Sequence, residues 1–448
     1  MDSRRRTWAT SERWVPKTFI RPFVRFSEIE ASSGIALLIA AVVALIWANS
    51  GWSATYFSLL EQRLTVDFLG FHLDESVLHL INDGLMTVFF FVVGLEIKRE
   101  MVHGDLRDPR SAALPVMGAL GGMVVPALIY LFFNAGTAAA HGWGVPMATD
   151  IAFAVGVVAL LGSRVPPGAK LFLLAVAIAD DIGAIAVIAL FYTADLAPGY
   201  LAAAVTGLIL VWLAGRIHVR APWFYVPMAF VIWYLTLESG VHATLAGVAL
   251  AFLTPAWPFY RRHEFDERAR AILDQFPTDD VTDQQAQEHA DHETLLLSGI
   301  ATESVSPLTR LENKLVTWSS FVVVPIFALA NAGIDFRGVD LMAALGSSVA
   351  LGVSLGLVLG KTVGISLASV IAVRLGLGKL PPGTTWWHIV GMAAVGGVGF
   401  TVALFVASLA FSDQATTDLA KAGIFSGSLV AGVIGSLLLR RAGPRTAR

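Results

Sequence analysis

The chain has 448 residues, 56% of them hydrophobic and only 15% charged, with a net charge of −3 and a mean hydropathy of +0.69. A soluble domain carries about 25% charged residues, so composition excludes an ordinary soluble protein and points to a polytopic helical membrane protein. Cysteine is absent, which excludes disulfides and thiolate metal sites.

Residues 1–30 are basic but lack a short apolar core followed by a small-residue cleavage site, so they read as a retained cytoplasmic tail. Residues 31–440 read as the membrane domain and 441–448 as a second cytoplasmic tail. Continuous apolar runs, without strand-like alternation, predict twelve spanning helices. They cover roughly 31–50, 77–102, 112–133, 145–164, 168–193, 197–217, 221–238, 240–256, 309–333, 344–374, 385–410 and 416–439. Loops on one side hold Lys98, Arg99, Arg107, Arg110, Arg164, Lys170, Arg216, Arg220, Arg374 and Lys379. The opposite loops hold only Arg63, Arg337 and Lys421. That asymmetry predicts cytoplasmic termini.

Between the first two spans, LTVDFLGFHLDES alternates around a glycine and suggests a small outer β-hairpin, or else a plain loop. Its edge could pair with a second copy. In the second span, Asp83 has two readings, an ion path or a helix cap. At the end of that span Glu96, Lys98, Arg99 and Glu100 crowd together, as an interfacial anchor or as a surface sensing proton concentration; Arg310 and Glu312 could join them.

The fourth span, GWGVPMATDIAFAVGVVALLG, has glycine and proline in its first half and Asp150 where it should be most apolar. The eleventh has GGVG near its middle. Helices that break in mid-membrane are tolerated only where protein or a water-filled cavity surrounds them. Each break is the second helix of a three-helix unit, spans three to five and ten to twelve. These units start on opposite sides of the membrane, so an inverted repeat with two crossing discontinuous helices is expected. Four helix ends would then meet inside the membrane. Asp150 is expected to compensate the positive ends, and Lys361, near the centre of span ten, to compensate the negative ones or to pair with one of the central acids.

The fifth span, LFLLAVAIADDIGAIAVIAL, carries Asp180 and Asp181 at its centre, roughly 18 Å from either end. A carboxylate at that depth costs about 2.5–3.5 kcal/mol on insertion scales. A bound cation or proton can offset this. Adjacent acids lie about 100° apart on a helix, so one would ligate while the other pairs.

His242, near the outer face, is either a pH switch or a satisfied packing residue. The 257–308 connection is acid-rich and is expected to be a mobile cytoplasmic loop with a short amphipathic helix. The twelve tryptophans suit an aromatic belt. No P-loop, GxSxG, HExxH or nucleotide fingerprint occurs. Neither a cofactor nor a nucleic-acid partner is implied. An intramembrane aspartyl protease using Asp150 with Asp181, or an organic-acid transporter, are the alternatives.

ATDIAFAVGVVALLGSRVPPGAKLFLLAVAIADDIGAIAVIALFYT resembles the NhaA family of bacterial sodium/proton antiporters. INDGLMTVFFFVVGLEIKRE, SGVHATLAG, PIFALANAG, GKTVGIS and GVGFTVALFVASLAF are similar to its other signatures. The resemblance covers about 30–256 and 309–440. It implies electrogenic exchange of Na⁺ or Li⁺ for protons by alternating access in the inner membrane. It implies Asp181 as principal cation ligand, with Asp180 as its partner, salt-bridged to Lys361 when sodium is absent. Thr149 and Asp150 would belong to the crossing and Asp83 to the pathway. Glu96, Arg310 and Glu312 would form a pH-responsive region, and a homodimer would form through the hairpin. Three positions depart from the family pattern. Asn313 stands where well-known members have histidine, Glu238 where some have lysine, and the 257–308 insertion is longer.

Overall fold

The computed structural model describes residues 32–68, 71–193, 196–276, 284–337 and 341–443. The expected N-terminal tail and the hairpin turn at 69–70 lie outside the described residues, as does the C-terminal tail beyond Gly443. Helix α1 (Ser32–Ala48) is followed by α2 (Ser53–Glu61), bent 110° from it. Strands β1 (Arg63–Phe68) and β2 (Phe71–Ser76) pair antiparallel, from Arg63 opposite Ser76 to Phe68 opposite Phe71. The hairpin reading therefore holds.

Next come α3 (Val77–His103), α4 (Pro109–Asn134), a 3₁₀ stretch (Ala138–Met147) and α5 (Ile151–Ala159). Helices α6 (Pro167–Phe191), α7 (Pro198–Arg216), α8 (Pro222–Glu238) and α9 (Thr244–Leu253) complete the first part. The insertion forms α10 (Arg262–Gln275) and α11 (Gln284–Glu303). The chain then returns through α12 (Pro307–Asn331), α13 (Leu341–Leu345) and α14 (Ser348–Arg374). It closes with α15 (Trp386–Val395), α16 (Phe400–Ala410) and α17 (Gln414–Ala442).

The chain is a multi-pass helical membrane protein. Among the described residues seven helices, α3, α4, α6, α7, α12, α14 and α17, are long and apolar enough to span a membrane, and up to ten spans result if each bent pair counts as one. Every expected span has a helical counterpart, but the count of twelve is not met by length. Helix α9 has ten residues, about 15 Å, half of a hydrocarbon layer about 30 Å thick. It starts late because Gly240, at φ +80°, turns the chain first. Helix α2 was not foreseen: only Ser53, Tyr56 and Leu60 are buried on it, one narrow face. Among the described residues the insertion forms two helices where one short one was expected, since its Glu, Ala, Gln, Arg and Leu are good helix formers.

Outward faces are apolar, as at Phe132 and Leu190, 84% and 76% exposed. In lipid this costs nothing, so close backbone approach, not hydrophobic collapse, must hold helices together. Helices α4 and α14 meet at Gly121 and Gly364, where a methyl group on either would overlap the other's carbonyl. Inside, one apolar cluster gathers Phe90, Phe327, Leu357 and Phe405. A second gathers Leu173, Ile365, Met392 and Leu439. The broken segments contribute to both, Phe405 on α16 to the first and Met392 on α15 to the second.

Candidate functional site

Two interruptions create the site. Between the 3₁₀ stretch and α5, residues 148–150 leave the helix, and Ala148 and Asp150 are extended. Between α15 and α16, residues 396–399 supply three glycines. The pairs on either side bend by 44° and 48°. A Cβ on Gly399 would stand 2.9 Å from Ala148 O, so the two breaks can cross only with glycine there.

Asp150, 2% exposed, serves both helices that start at the crossing. One oxygen, Oδ1, accepts from Phe153 N of its own helix at 2.9 Å. The other accepts from Thr401 N at 3.1 Å and Thr401 Oγ1 at 2.6 Å, in the first turn of α16. The anion thus faces two positive helix ends, as expected. The negative ends are met by the crossing itself. Asp150 N donates to Val398 O at 2.7 Å, and Thr149 Oγ1 lies 2.7 Å from Gly396 O. Lys361 compensates neither carbonyl end. Its ammonium is drawn instead to the full negative charge of Asp180, a stronger partner than a partial one.

Lys361 and Asp180 form an ion pair whose side chains are both fully buried. Lys361 follows directly on a π-helical turn, Gly356–Gly360, a feature enriched at functional sites. Gly122 of α4 packs beside its stem, where a Cβ would meet Ile365 Cγ1 at 2.7 Å. Asp180 Oδ2 also lies 2.8 Å from Thr149 Oγ1. That hydroxyl has one proton and two acceptors, Asp180 Oδ2 and Gly396 O, so it ties the acid pair to the broken helix.

Asp180 Oδ1 is buried without a hydrogen-bond partner among the described residues. Asp181, one residue on, differs in having no ion pair among them either. It is 2% exposed, and its Oδ1 is buried without a hydrogen-bond partner among the described residues. The charges acting on it are those of Asp180, Glu96, Asp150 and Lys361. Three of the four are negative. Divergence of the adjacent acids is as the helical geometry required. An ionised carboxylate so placed costs several kcal/mol unless a cation or proton meets it.

Other candidates disperse. Asp83, buried in a π-helical turn at Ile81–Leu85, pairs with His79 at 2.9 Å. Its carbonyl accepts from Trp233 Nε1 at 3.2 Å. It stands apart from the central group. In the α3 cluster, Arg99 bridges Glu312 at 2.8 Å and Glu100 at 3.1 Å, while Arg310 Nε has no hydrogen-bond partner among the described residues. The cation that holds Glu312 is Arg99. Glu96 is half-buried beside this group. Lys98 caps the end of α9, donating to Phe252 O at 2.7 Å. His242 Nε2 lies 2.7 Å from Tyr192 O, the arrangement of a satisfied packing residue. Thr401 and His79 were not singled out from sequence. Thr401 had a usable signal, a hydroxyl just past the GGVG break.

The family model described as Na+/H+ antiporter 1 matches residues 24–439. The chain belongs to the NhaA family of Na⁺/H⁺ antiporters. It is 46% identical over 426 residues to the Na(+)/H(+) antiporter NhaA of Oleidesulfovibrio alaskensis, covering 94% of each chain. It is 45% identical to NhaA 2 of Syntrophotalea carbinolica, covering 95% of this chain and 98% of that one. With the NhaA of Koribacter versatilis the identity is again 45%, over 95% and 92%. The NhaA match contains both breaks, the acid doublet, Lys361 and the whole insertion. The protease alternative is not the family's chemistry, and both Asp150 oxygens accept hydrogen bonds from helix N-termini.

Proposed function

We propose that this chain exchanges Na⁺ or Li⁺ for protons across the bacterial inner membrane, as a secondary transporter with both termini in the cytoplasm. The observation that carries this is the unpartnered carboxylate oxygen of Asp181 beside a closed Asp180–Lys361 pair. Hard cations prefer oxygen. Among the described residues no three His, Asp or Glu side chains gather into a metal site. Further ligands would therefore come from hydroxyl or carbonyl oxygens, with Thr149 Oγ1 within reach of Asp180.

In this reading a proton or a sodium ion neutralises Asp181, never both. Sodium also recruits Asp180, which frees Lys361 to release its proton. Two protons would then leave for one cation, and the cycle would move net charge. Each elementary charge moved is worth about 2.3 kcal/mol per 100 mV, so voltage drives the exchange. The crossing, held by Asp150 and Thr149, is the element that would rock to admit water from one side at a time. Arg99, Glu96, Glu100 and Glu312 would be the pH-responsive group, and the exposed hairpin edge the contact of a homodimer.

The test is reconstitution. Wild-type protein in proteoliposomes should release protons on addition of Na⁺ or Li⁺, faster when the membrane potential is imposed in the driving direction. Asp181→Asn should abolish the signal while keeping its thermal midpoint. Sodium-driven proton release that persists in that variant removes the reading.

A further inference from the structure

Around the basic end of the bundle, assigned above to the cytoplasm, α3, α10 and α12 enclose a cavity of about 970 Å³. Its wall includes Arg99, His103, Arg261 and Arg262 with Trp257 and Tyr260, and no acidic side chain among the described residues. Arg99 is already matched by Glu312 and Glu100. Arg261 and Arg262 are exposed, and neither forms an ion pair among the described residues. The nearest acid in sequence, Glu264, accepts from Arg261 N at 2.7 Å and so caps its own helix. Two helices begin at this wall. Arg261 and Arg262 open α10, and Ser306, which accepts from Thr309 N at 3.2 Å, caps α12. Both ends are capped, by Glu264 and by Ser306, so the positive charge at the wall is that of the arginine side chains. The cavity is built for an anion.

Its depth and its aromatics identify the kind of anion. The apolar run of α9 ends at Leu253, and Trp257 follows four residues later. Trp257 is 64% exposed and stacks edge-on with His103, ring centres 4.8 Å apart. Phe259, 46% exposed, carries Arg220 over its ring at 4.8 Å. Exposed rings beside arginines at a span end are the composition of the headgroup layer. A soluble phosphate would gain nothing from Trp257 and Phe259. A lipid would lay its glycerol and first methylenes against them.

We propose that this cavity binds the phosphate of an anionic phospholipid of the cytoplasmic leaflet, held by Arg261 and Arg262 with Trp257 against the glycerol. The inference stands on this cavity and does not depend on the exchange reaction. Full-length protein in mild detergent is titrated with phosphatidylglycerol, with phosphatidylcholine and with inorganic phosphate, and bound lipid is counted by native mass spectrometry. Phosphatidylglycerol should bind and phosphatidylcholine should not. The double variant Arg261→Gln, Arg262→Gln should weaken phosphatidylglycerol binding roughly 10- to 30-fold. Trp257→Ala should weaken it severalfold at an unchanged thermal midpoint. Arg374→Gln, at the same end but away from the cavity, should bind as wild type. Raised salt should weaken wild-type binding and leave the double variant little changed. Wild-type affinity in the double variant overturns the proposal. So does complete displacement of the lipid by millimolar inorganic phosphate, which would make this a soluble-anion site.

Discussion

Asp150 and Asp181 are the same residue type, equally buried and both near the centre of the bundle, yet their surroundings differ in one respect. Every Asp150 oxygen is taken, by Phe153 N on one side and by Thr401 N and Oγ1 on the other. Asp181 keeps an oxygen with no partner among the described residues. Burial and charge do not separate a structural carboxylate from a chemical one. The hydrogen-bond inventory does. Asp150 neutralises helix ends that never leave, so its charge can be permanent. In the function proposed above, Asp181 has only an exchangeable counter-charge.

The contrast breaks most readily at Asp181. Asp181→Asn should lower sodium-driven proton release at least 100-fold with little change in the thermal midpoint, read by fluorescence dequenching and by melting. Next in size is Lys361→Met, which leaves Asp180 buried and unpaired. It should cost about 3–5 kcal/mol, and adding Asp180→Leu should restore most of it, as a replaced buried pair is often near neutral. A denaturation series on the two variants checks this. Asp150→Ala should cost about 2–4 kcal/mol, the sum of two lost N-caps, so its deficit appears first in stability. If Asp150→Ala instead melts as wild type but stops transport, the distinction between the two carboxylates is wrong. Thr401→Val should lose about 1–2 kcal/mol without altering the Na⁺ to Li⁺ ratio of exchange. Smallest is Asp335→Asn, in an exposed loop. Arg337, through side-chain and backbone hydrogen bonds, pushes Asp335 down to about 2. A depressed carboxyl contributes stability that is fully present above its unfolded pKa and is lost as pH falls from there through the folded value of about 2. The variant should therefore trail wild type by no more than about 0.5 kcal/mol at neutral pH, and the gap should close on acidification.

Much of this was legible because a membrane makes polarity conspicuous. Asp180, Asp181, Asp150 and Lys361 stand out of apolar runs, and Gly/Pro clusters mark both breaks. Pairing was less legible. Asp150 and Thr401 lie 251 residues apart, and spacing says nothing about which helix crosses which. Lys361 had two readings, helix carbonyl ends or one of the central acids, and sequence did not choose between them; it pairs with Asp180. Which cation of the α3 cluster meets Glu312 was likewise not legible, since the partner, Arg99, comes from another helix. Short elements escaped too. Helix α2 is too mixed in polarity to register as a span, and α9 too short to be one.

The π-helical turn at Gly356–Gly360 has a consequence for how α14 tolerates change. Such a turn holds one residue more than regular winding, and one residue rotates everything downstream by about 100°. The azimuth at which Lys361 leaves its helix is therefore set by counting rather than by chemistry. Shortening the tract by one residue would swing the ammonium towards a neighbouring sector, even with every side chain kept. Drift in the identity of Leu357 or Leu359 is a milder event than drift in the length of the tract.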